Sequence, residues 1–269
     1  MKTPQQTPDK PRLSKLTYRV WKVWRRNFDV FMKTYKVNFF PPLLEPIFYL
    51  AAFGFGLGGF IDPSALGGLT YIKFIAPALV SISIMYSSFF ECTYGSFVRM
   101  YYQKTFDAII STPINIEEVI AGEIFWGATR SIIGGTIVLA VVAAFGLISS
   151  PLFILIPLVA FATGLMFSAI AMCFTSLAPN IDFFNYPQFL FILPMFLLSG
   201  TFFPITRLPE SMQIFAQAVF PLTHTISLTR ALMFGNLDPS LLLSLGWIAA
   251  VTAIFFALGI RQMKKRLIK

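Results

Sequence analysis

Apolar residues are concentrated in six long runs along the chain, and shorter polar stretches separate one run from the next. An α-helix needs about 20 mostly apolar residues to cross the hydrocarbon core of a bilayer, which is about 30 Å thick. The pattern therefore predicts an all-α polytopic membrane protein. Its six transmembrane helices are expected at residues 38–60, 72–95, 117–146, 152–177, 183–203 and 239–260.

The segment before the first run, residues 14–36, places apolar and basic side chains at helical spacing. Leu16, Val20 and Trp24 lie along one side of such a helix, and Arg19 lies elsewhere. This predicts an N-terminal amphipathic helix in the membrane interface, with tryptophan at headgroup depth and cations toward the phosphates. A solvated basic arm is the alternative. The residues expected to make the interfacial contacts are Trp21, Trp24, Arg25 and Arg26.

The stretch between the second and third runs should be a plain loop, yet it contains a helical pattern. Phe106, Ile109 and Ile110 have the i, i+3, i+4 spacing of one apolar helix face, and Pro113 ends the pattern. Asn115 is then a suitable N-cap for the following helix. The sequence predicts a short, apolar-faced helix here, and a folded loop lying on the membrane is the alternative.

Residues 204–236, before the last run, are too polar and too interrupted for a simple membrane span. Met212, Phe215 and Val219 share one face of a helix of about three turns, which Pro221 ends. A second short helix runs from there to Gly235. Because neither helix is long enough to cross the bilayer, we expect a re-entrant hairpin that caps the outer mouth of the protein.

Composition supports the membrane interpretation. Hydrophobic residues make up 56% of the 269 residues, charged residues make up 12%, and the mean hydropathy is +0.72. A soluble domain has about a quarter of its residues charged. The polar surface is therefore too small to cover a water-soluble globule.

The net charge of +9 is concentrated at the two ends of the chain, which argues against a nucleic-acid partner. Ten of the 21 Lys and Arg residues precede residue 37, and five lie in the last nine residues. The loops at 61–71 and 147–151 contain none, whereas the loop at 96–116 contains Arg99 and Lys104. This bias predicts that both termini are cytoplasmic.

Residues suited to catalysis or metal binding are scarce. His224 is the only histidine, and both cysteines, Cys92 and Cys173, lie inside apolar runs. A zinc site or a Ser–His pair is therefore not expected, and no G-x-x-x-x-G-K-[ST] loop for ATP is present. The chain is predicted not to be an enzyme, with no catalytic residue, metal or cofactor of its own.

Ionisable residues inside the predicted spans are costly and are therefore functional candidates. They are Glu45, Glu91, Glu123 and Arg130, and the last two lie seven residues apart on one helix face. These residues could pair with one another between neighbouring helices. A proton or ion relay, or a polar lining for a substrate path, are the alternatives.

Two further groups are candidates for a substrate path or gate. Pro187 and Pro194 lie two turns apart in the fifth predicted span, so that helix should be bent, and it could line a cavity, flex, or be statically kinked. Arg207, His224 and Arg230 lie in or beside the predicted hairpin. They could bond helix-end carbonyls and lipid phosphates, or line an exit gate for an anionic or glycosylated substrate.

Three passages together resemble the permease subunits of ABC-2 type exporters. They are "WRRNF…EPIFYLAAFGFGLGGFI" at 24–61, "LSGTFFPITRLPESMQ" at 198–213 and "FPLTHTISLTRALMFG" at 220–235. The similarity covers nearly the whole chain and is greatest to the branch that includes the NodJ-type and daunorubicin-type exporters. The second and third passages, in this order after the fifth run, are the specific part.

This resemblance implies one half of a type V exporter, which works as a homodimer with two copies of a separate ABC ATP-binding subunit that binds ATP and Mg. The loop at 98–115 would hold a cytoplasmic coupling helix seated in a cleft of the ATPase. Its apolar side chains would then face that partner, and the N-terminal helix would make a second contact. The matching coupling residues are Lys104, Phe106, Asp107, Ile109, Ile110 and Pro113.

The expected organisation is a basic tail and interfacial helix at 1–36, a transmembrane domain at 37–260 and a basic tail at 261–269. The expected location is the bacterial inner membrane, in contact with its lipids. The expected function is outward transport of a lipid-linked, glycolipid, polysaccharide or amphipathic drug-like substrate. Two alternatives are a secondary transporter or channel that uses the intramembrane Glu and Arg residues, and a scaffold that anchors an ATPase.

Overall fold

The computed structural model describes residues 16–268, of which residues 37, 38, 41, 42, 55 and 65 are described by their backbone alone. All regular structure within this range is helical. The predicted basic tail at 1–15 and Lys269 lie outside the described residues. The α-helices are α1 Arg19–Ala51, α2 Tyr71–Phe90, α3 Thr105–Ile110, α4 Ile116–Ala144, α5 Ile156–Leu177, α6 Asn185–Pro187, α7 Leu193–Leu198, α8 Glu210–Val219, α9 Pro221–Phe234 and α10 Ser240–Leu267.

Helix ends follow local chemistry in several places. Asn115 precedes α4, whose Glu118 side chain accepts a hydrogen bond from the Asn115 backbone N–H at 2.9 Å. This is the reciprocal half of a capping box. At α9, Pro221 occupies the first position and Gly235 ends the helix in the left-handed conformation, at φ 81°. Both residues suit these ends, since proline needs no N–H donor there and glycine tolerates positive φ.

The predicted second span is longer than expected. After α2 the helix continues through two π-helical turns, Glu91–Gly95 and Val98–Tyr102, so residues 96–102 are helical and not loop. Lys104 then adopts a left-handed conformation, at φ 52°, which reverses the chain into α3. It is the only non-glycine residue with positive φ in the described part of the chain.

The core of the bundle is formed by α2, α4 and α5, with α1 along α4 and α10 along α5. Small residues allow these helices to approach closely. Gly164 of α5 lies directly against Ser131 of α4, whose hydroxyl donates a hydrogen bond to the Ala160 carbonyl at 2.7 Å. Gly122 of α4 lies against Val23 of α1. Such contacts are the usual means by which membrane helices associate, because lipid provides no hydrophobic drive.

Both described chain ends lie at the same end of the bundle, which we name the basic end. There Thr17 donates to the Glu118 carboxylate, and Lys264 Nζ lies 2.5 Å from Glu117 Oε1. At the opposite end of the bundle, Phe53 beyond α1 contacts the ring of Tyr71 at the start of α2. The helix that begins at the basic end therefore runs the full height of the bundle.

The prediction of six spans is not confirmed by helix length and composition. Five helical segments of the described chain satisfy both criteria, and the first predicted span at 38–60 contributes only a short apolar stretch, Leu43–Gly54. The basic and polar residues in the first half of α1 are the reason, because they belong to the same helix as that stretch. The five segments are Tyr71–Tyr102, Ile116–Ala144, Pro151–Leu177, Ile181–Leu198 and Ser240–Leu267.

Two predicted boundaries fall inside continuous helices. The interfacial helix and the first span form one uninterrupted helix, Arg19–Ala51, which is about 50 Å long at 1.5 Å per residue. Its first half packs along α4, where Trp24 Nε1 donates to Thr129 Oγ1 at 2.8 Å. At the other end of the chain, α10 continues to Leu267 and includes most of the predicted tail at 261–269, because Lys264 and Arg266 find acceptors on the bundle.

The two short helices predicted between 204 and 236 are present as α8 and α9. Helix α9 is mostly buried against α2, α5 and α10. At the end of the bundle opposite the basic end, the Met233 carbonyl of α9 accepts hydrogen bonds from the Ser149 and Ser150 N–H groups. At about 21 Å, α9 is too short to cross a bilayer. Helix α8 buries Ala216 but leaves Met212 and Phe215 exposed.

The close contact between α4 and α5 gives a first prediction. A Cβ at Gly164 would overlap Ser131 Oγ, so Gly164→Leu should destabilise the fold by about 1–3 kcal/mol through overpacking. The matched control is Gly246→Leu in α10, where no atom lies within 4 Å of an added Cβ. Thermal unfolding in detergent should show a lower midpoint for the first variant alone, and equal midpoints would contradict the packing described.

Candidate functional site

The short helix α3 lies at the basic end between the π-helical turns of the second long helix and the start of α4. Phe106 is completely buried in the hydrophobic core, and Ile109 and Ile110 are half-buried against it. The outward face is formed by Asp107 and Ala108, which are exposed. Lys104 and Pro113, at the two ends of α3, are also exposed.

The expectation that the apolar side chains of α3 face a protein partner is therefore wrong for Phe106, which has no accessible surface. A helix of six residues is unstable alone, because nucleation costs more than so few hydrogen bonds return. Burying Phe106 attaches α3 to the bundle and holds it as a helix. The surface left for a partner is the polar outward face.

The segment that follows α3 is attached to the start of α1. Arg19 donates a hydrogen bond to the Pro113 carbonyl, and the Thr17 backbone N–H donates to Glu118 Oε1 at 3.2 Å. The Glu118 carboxylate also accepts the Asn115 N–H. One buried carboxylate thus joins the first turn of α4 to the residues that precede α1.

Behind α3 lies a network of charged side chains that joins α1, the π-helical turns and α4. Arg99 is its centre: Nη2 lies 2.5 Å and Nε 3.0 Å from Glu123 Oε2, and Nη1 lies 2.8 Å from Glu91 Oε1. Ser96 Oγ donates to Glu123 Oε2 at 2.7 Å. Asn27 Nδ2 donates to the other Glu123 oxygen at 2.8 Å, so the buried carboxylate has donors on both oxygens.

Ion pairing between neighbouring helices, one of the interpretations left open, is present and includes a residue outside the predicted set. Glu123 pairs with Arg99, while Arg130 Nε lies 3.3 Å from Glu91 Oε2 and its guanidinium lies over the Phe31 ring at 4.7 Å. Arg99 is not among the predicted candidates, because it lies in a stretch predicted to be a loop. The available signal was the spacing of Glu91 and Arg99, eight residues or about two helical turns, had the second span been extended.

The π-helical turns determine where these groups point. Glu91 opens the first π-turn and Arg99 lies in the second, and π-turns occur frequently at functional sites. Gly95 lies between them, where a Cβ would be 3.0 Å from Glu91 Oε1 and 3.4 Å from Arg99 Nη1. The glycine therefore leaves the space that the pair occupies.

The other predicted path and gate residues are spread over the molecule and do not form one site. Glu45 lines a small pocket with Tyr49 and Ser83, away from the Arg99 network. Pro187 and Pro194 flank a π-helical turn, Gln188–Ile192, in the segment predicted to bend.

The hairpin residues are also separate from one another. His224 stacks on Trp247 and has Ser244 Oγ at 3.1 Å. Arg230 lies over the Phe74 ring and donates to the Gly200 carbonyl at 3.2 Å, whereas Arg207 is exposed.

The tryptophans of α1 form an aromatic row at the basic end. Trp21 stacks on Trp24 with ring centroids 4.1 Å apart, and Trp24 meets Trp126 of α4 edge-on. Arg25 is exposed on the other side, and Arg26 reaches into the network of Arg99. No group of three potential metal-ligating side chains occurs in the residues that the structure describes.

The fold and this site define a polytopic helical membrane protein with a small surface helix anchored at the charged end of its bundle. A family model described as ABC-2 type transporter matches residues 18–234. Nodulation protein J of Bradyrhizobium diazoefficiens is 34% identical over 248 residues, which are 92% of this chain and 93% of that protein.

Two further relatives agree. Nodulation protein J of Rhizobium meliloti is 34% identical over 91% of this chain and 92% of its own length. The inner membrane transport permease YadH of Escherichia coli is 23% identical over 87% of this chain and 90% of its own length. The chain belongs to the ABC-2 type transporter family and is a permease subunit, a membrane component that is not itself catalytic. Such subunits normally work with an ABC ATP-binding subunit.

The buried ion pair gives the second prediction. Glu123→Gln leaves Arg99 without its main counter-charge and should destabilise the fold by about 3–5 kcal/mol, as breaking a buried pair does. In a double-mutant cycle, Glu123→Gln with Arg99→Met should cost clearly less than the sum of the single variants. Arg25→Met, at an exposed side chain of α1, is the control and should cost about 0.5 kcal/mol or less. Unfolding in detergent measures all four, and additive effects would contradict the pairing.

Proposed function

We propose that this chain is the membrane half of an ATP-driven exporter in the bacterial inner membrane. Two copies would associate with two ATP-binding subunits and move a lipid-linked, glycolipid, polysaccharide or amphipathic drug-like molecule outward. Family membership supports the permease role, and the similarity to an inner membrane transport permease of Escherichia coli supports the inner membrane. ATP and Mg would be bound by the partner subunit.

The observation that carries this proposal is the construction of α3. A six-residue helix is held against the bundle by a completely buried Phe106, while Asp107 and Ala108 face outward. Lys104 adopts a left-handed conformation immediately before it. A short helix that is anchored on one side and polar on the other is suited to receive a partner and to move with the bundle.

The basic end is the cytoplasmic end in this proposal. Lys264 and the cations of α1 lie there. The cytoplasmic side of a membrane protein generally carries such an excess of Lys and Arg. The chain would cross the bilayer six times, and the first crossing would be made by α1, whose first half is basic; the run of α1 from this end to the contact with Tyr71 supports this part of the proposal. Helices α8 and α9 then form the re-entrant hairpin on the outer side.

Force applied to α3 would reach the bundle by two routes. One is the capping contact of Asn115 and Glu118, which links the segment after α3 to α4 and to α1. The other is the pair of π-helical turns that immediately precede Lys104 and hold Arg99 against Glu123. Packed elements joined in this way move as units, because interiors do not deform continuously.

Ion-coupled transport is less well supported. Two of the three carboxylates it would use are already in ion pairs, Glu123 with Arg99 and Glu91 with both Arg99 and Arg130. These contacts hold the side chains in place, which suits a structural joint.

The docking role gives the third prediction. Asp107→Lys combined with Ala108→Arg changes only exposed side chains of α3, so the fold should be retained while co-purification of the ATPase falls by tenfold or more, about 1.4 kcal/mol per factor of ten. Asp182→Lys, an exposed charge reversal outside α3, should leave co-purification unchanged. Retained co-purification in the α3 variant would refute the docking role.

The topology gives the fourth prediction. A cysteine at Ser211, exposed on α8, should react with a membrane-impermeant thiol reagent added to intact cells, whereas one at Ala108 on α3 should react only after lysis. The native Cys92 and Cys173 are buried and should give little background. The reverse pattern would invert the proposed orientation.

A further inference from the structure

The network around Arg99 contains more positive than negative charge. Arg26, Arg99 and Arg130 are balanced by only two carboxylates, Glu91 and Glu123. Arg99 and Arg130 take both carboxylates as ion-pair partners, and Arg26 has none within 4 Å among the described residues. Arg26 is half-buried, and a charge that is partly removed from water without a counter-charge is costly, so an additional anion would be favourable here.

Arg26 is the unbalanced member. Its Nη2 donates to the neutral Asn27 side-chain oxygen at 2.6 Å, and Asn27 Nδ2 in turn donates to Glu123 Oε1. Its Nε atom is buried and has no hydrogen-bond partner in the described part of the chain. A guanidinium has five N–H donors in a planar fork, so donors remain for a planar or tetrahedral oxyanion.

A cavity of about 600 Å³ adjoins this guanidinium. Its walls are Arg26, Asn27 and Val30 from α1, and Tyr94, Val98 and Arg99 from the π-helical segment. No carboxylate is among the described residues that line it. The cavity thus combines two guanidinium groups with an apolar wall, and its volume lies within the range of small-molecule sites.

We propose that this cavity binds the phosphate group of an amphiphile at the basic end of the bundle. The phosphate would accept hydrogen bonds from the free N–H donors of Arg26 and would supply the missing negative charge, since Arg–phosphate pairs are strong and charge-assisted. Val30 and Val98 offer the apolar contact that the remainder of such a molecule requires. Val30 is 56% exposed, so the cavity is open on the α1 side.

The site deepens the proposed function and rests on it, because it adjoins the helix proposed to receive the ATPase. Gln103 and Thr105 complete the cavity, and Thr105 is the first residue of α3. A phosphate bound there would lie between α1 and the segment that leads into α3. The position suits loading of a phosphorylated substrate, or of a lipid, from the cytoplasmic side.

The test measures phosphatidylglycerol retained by the full chain after extraction from nanodiscs of phosphatidylcholine containing a minority of phosphatidylglycerol, by native mass spectrometry. The wild-type chain should retain phosphatidylglycerol, and Arg26→Gln should reduce retention about tenfold or more, as loss of a charge-assisted bond does. Lys33→Gln removes an exposed charge of α1 outside the cavity and should have no effect.

A second pair of variants does not alter the network. Val30→Trp fills the open side of the cavity from an exposed position and should also abolish retention, whereas Met32→Trp, exposed but outside the cavity, should not. Displacement by inorganic phosphate would assign the site to the phosphate ion alone, and resistance to it would assign the site to the lipid. Unchanged retention in Arg26→Gln and Val30→Trp, or an equal loss in Lys33→Gln, would overturn the proposal.

These outcomes are independent of the ATPase experiment. If the α3 variant keeps its ATPase while Arg26→Gln loses phosphatidylglycerol, the proposed docking role fails and the phosphate site stands. If the α3 variant loses the ATPase while Arg26→Gln retains the lipid, the site fails and the docking role stands.

Discussion

The organisation of the basic end depends on the carboxylate of Glu123, which is buried where three helical segments meet. A charge in that position must be compensated by neighbouring groups, since water cannot reach it. Arg99, Ser96 and Asn27 provide this compensation from two different elements. The pairing therefore fixes the orientation of α1 and of the π-helical turns relative to α4.

Helix α3 shows how a mobile-looking connection becomes part of a rigid body. Its apolar side chains pack against the bundle, and Asp107 and Ala108 form its outer face. Recognition at that face must therefore depend on charge and shape. The surrounding contacts of Arg19 and Glu118 join the same region to the beginning of α1. Movement of α3 relative to the bundle would require these contacts to break together, which favours transmission over local bending.

Much of the architecture could be predicted from the sequence, because apolar runs and prolines report length and breaks directly. The third and fourth spans, α3, α8 and α9 lie close to where periodicity predicts them. The direction in which Phe106 points could not be predicted, since an apolar face suits either a partner or the bundle. The role of Arg99 is hard to predict for a related reason. π-Helical turns have no distinct sequence pattern, and here they extend α2 into a stretch whose sequence is typical of a loop.

The π-helical turns have a consequence for how this chain can change in length. Each residue added to or removed from an α-helix rotates everything beyond it by about 100°. A single deletion between Glu91 and Gly95 would leave the hydropathy of the segment almost unchanged, yet it would turn Arg99 away from Glu123 and α3 away from its present side of the bundle. The number of residues in this segment is therefore as important for the structure as its charged side chains are, even though a shorter apolar helix would still be compatible with the lipid.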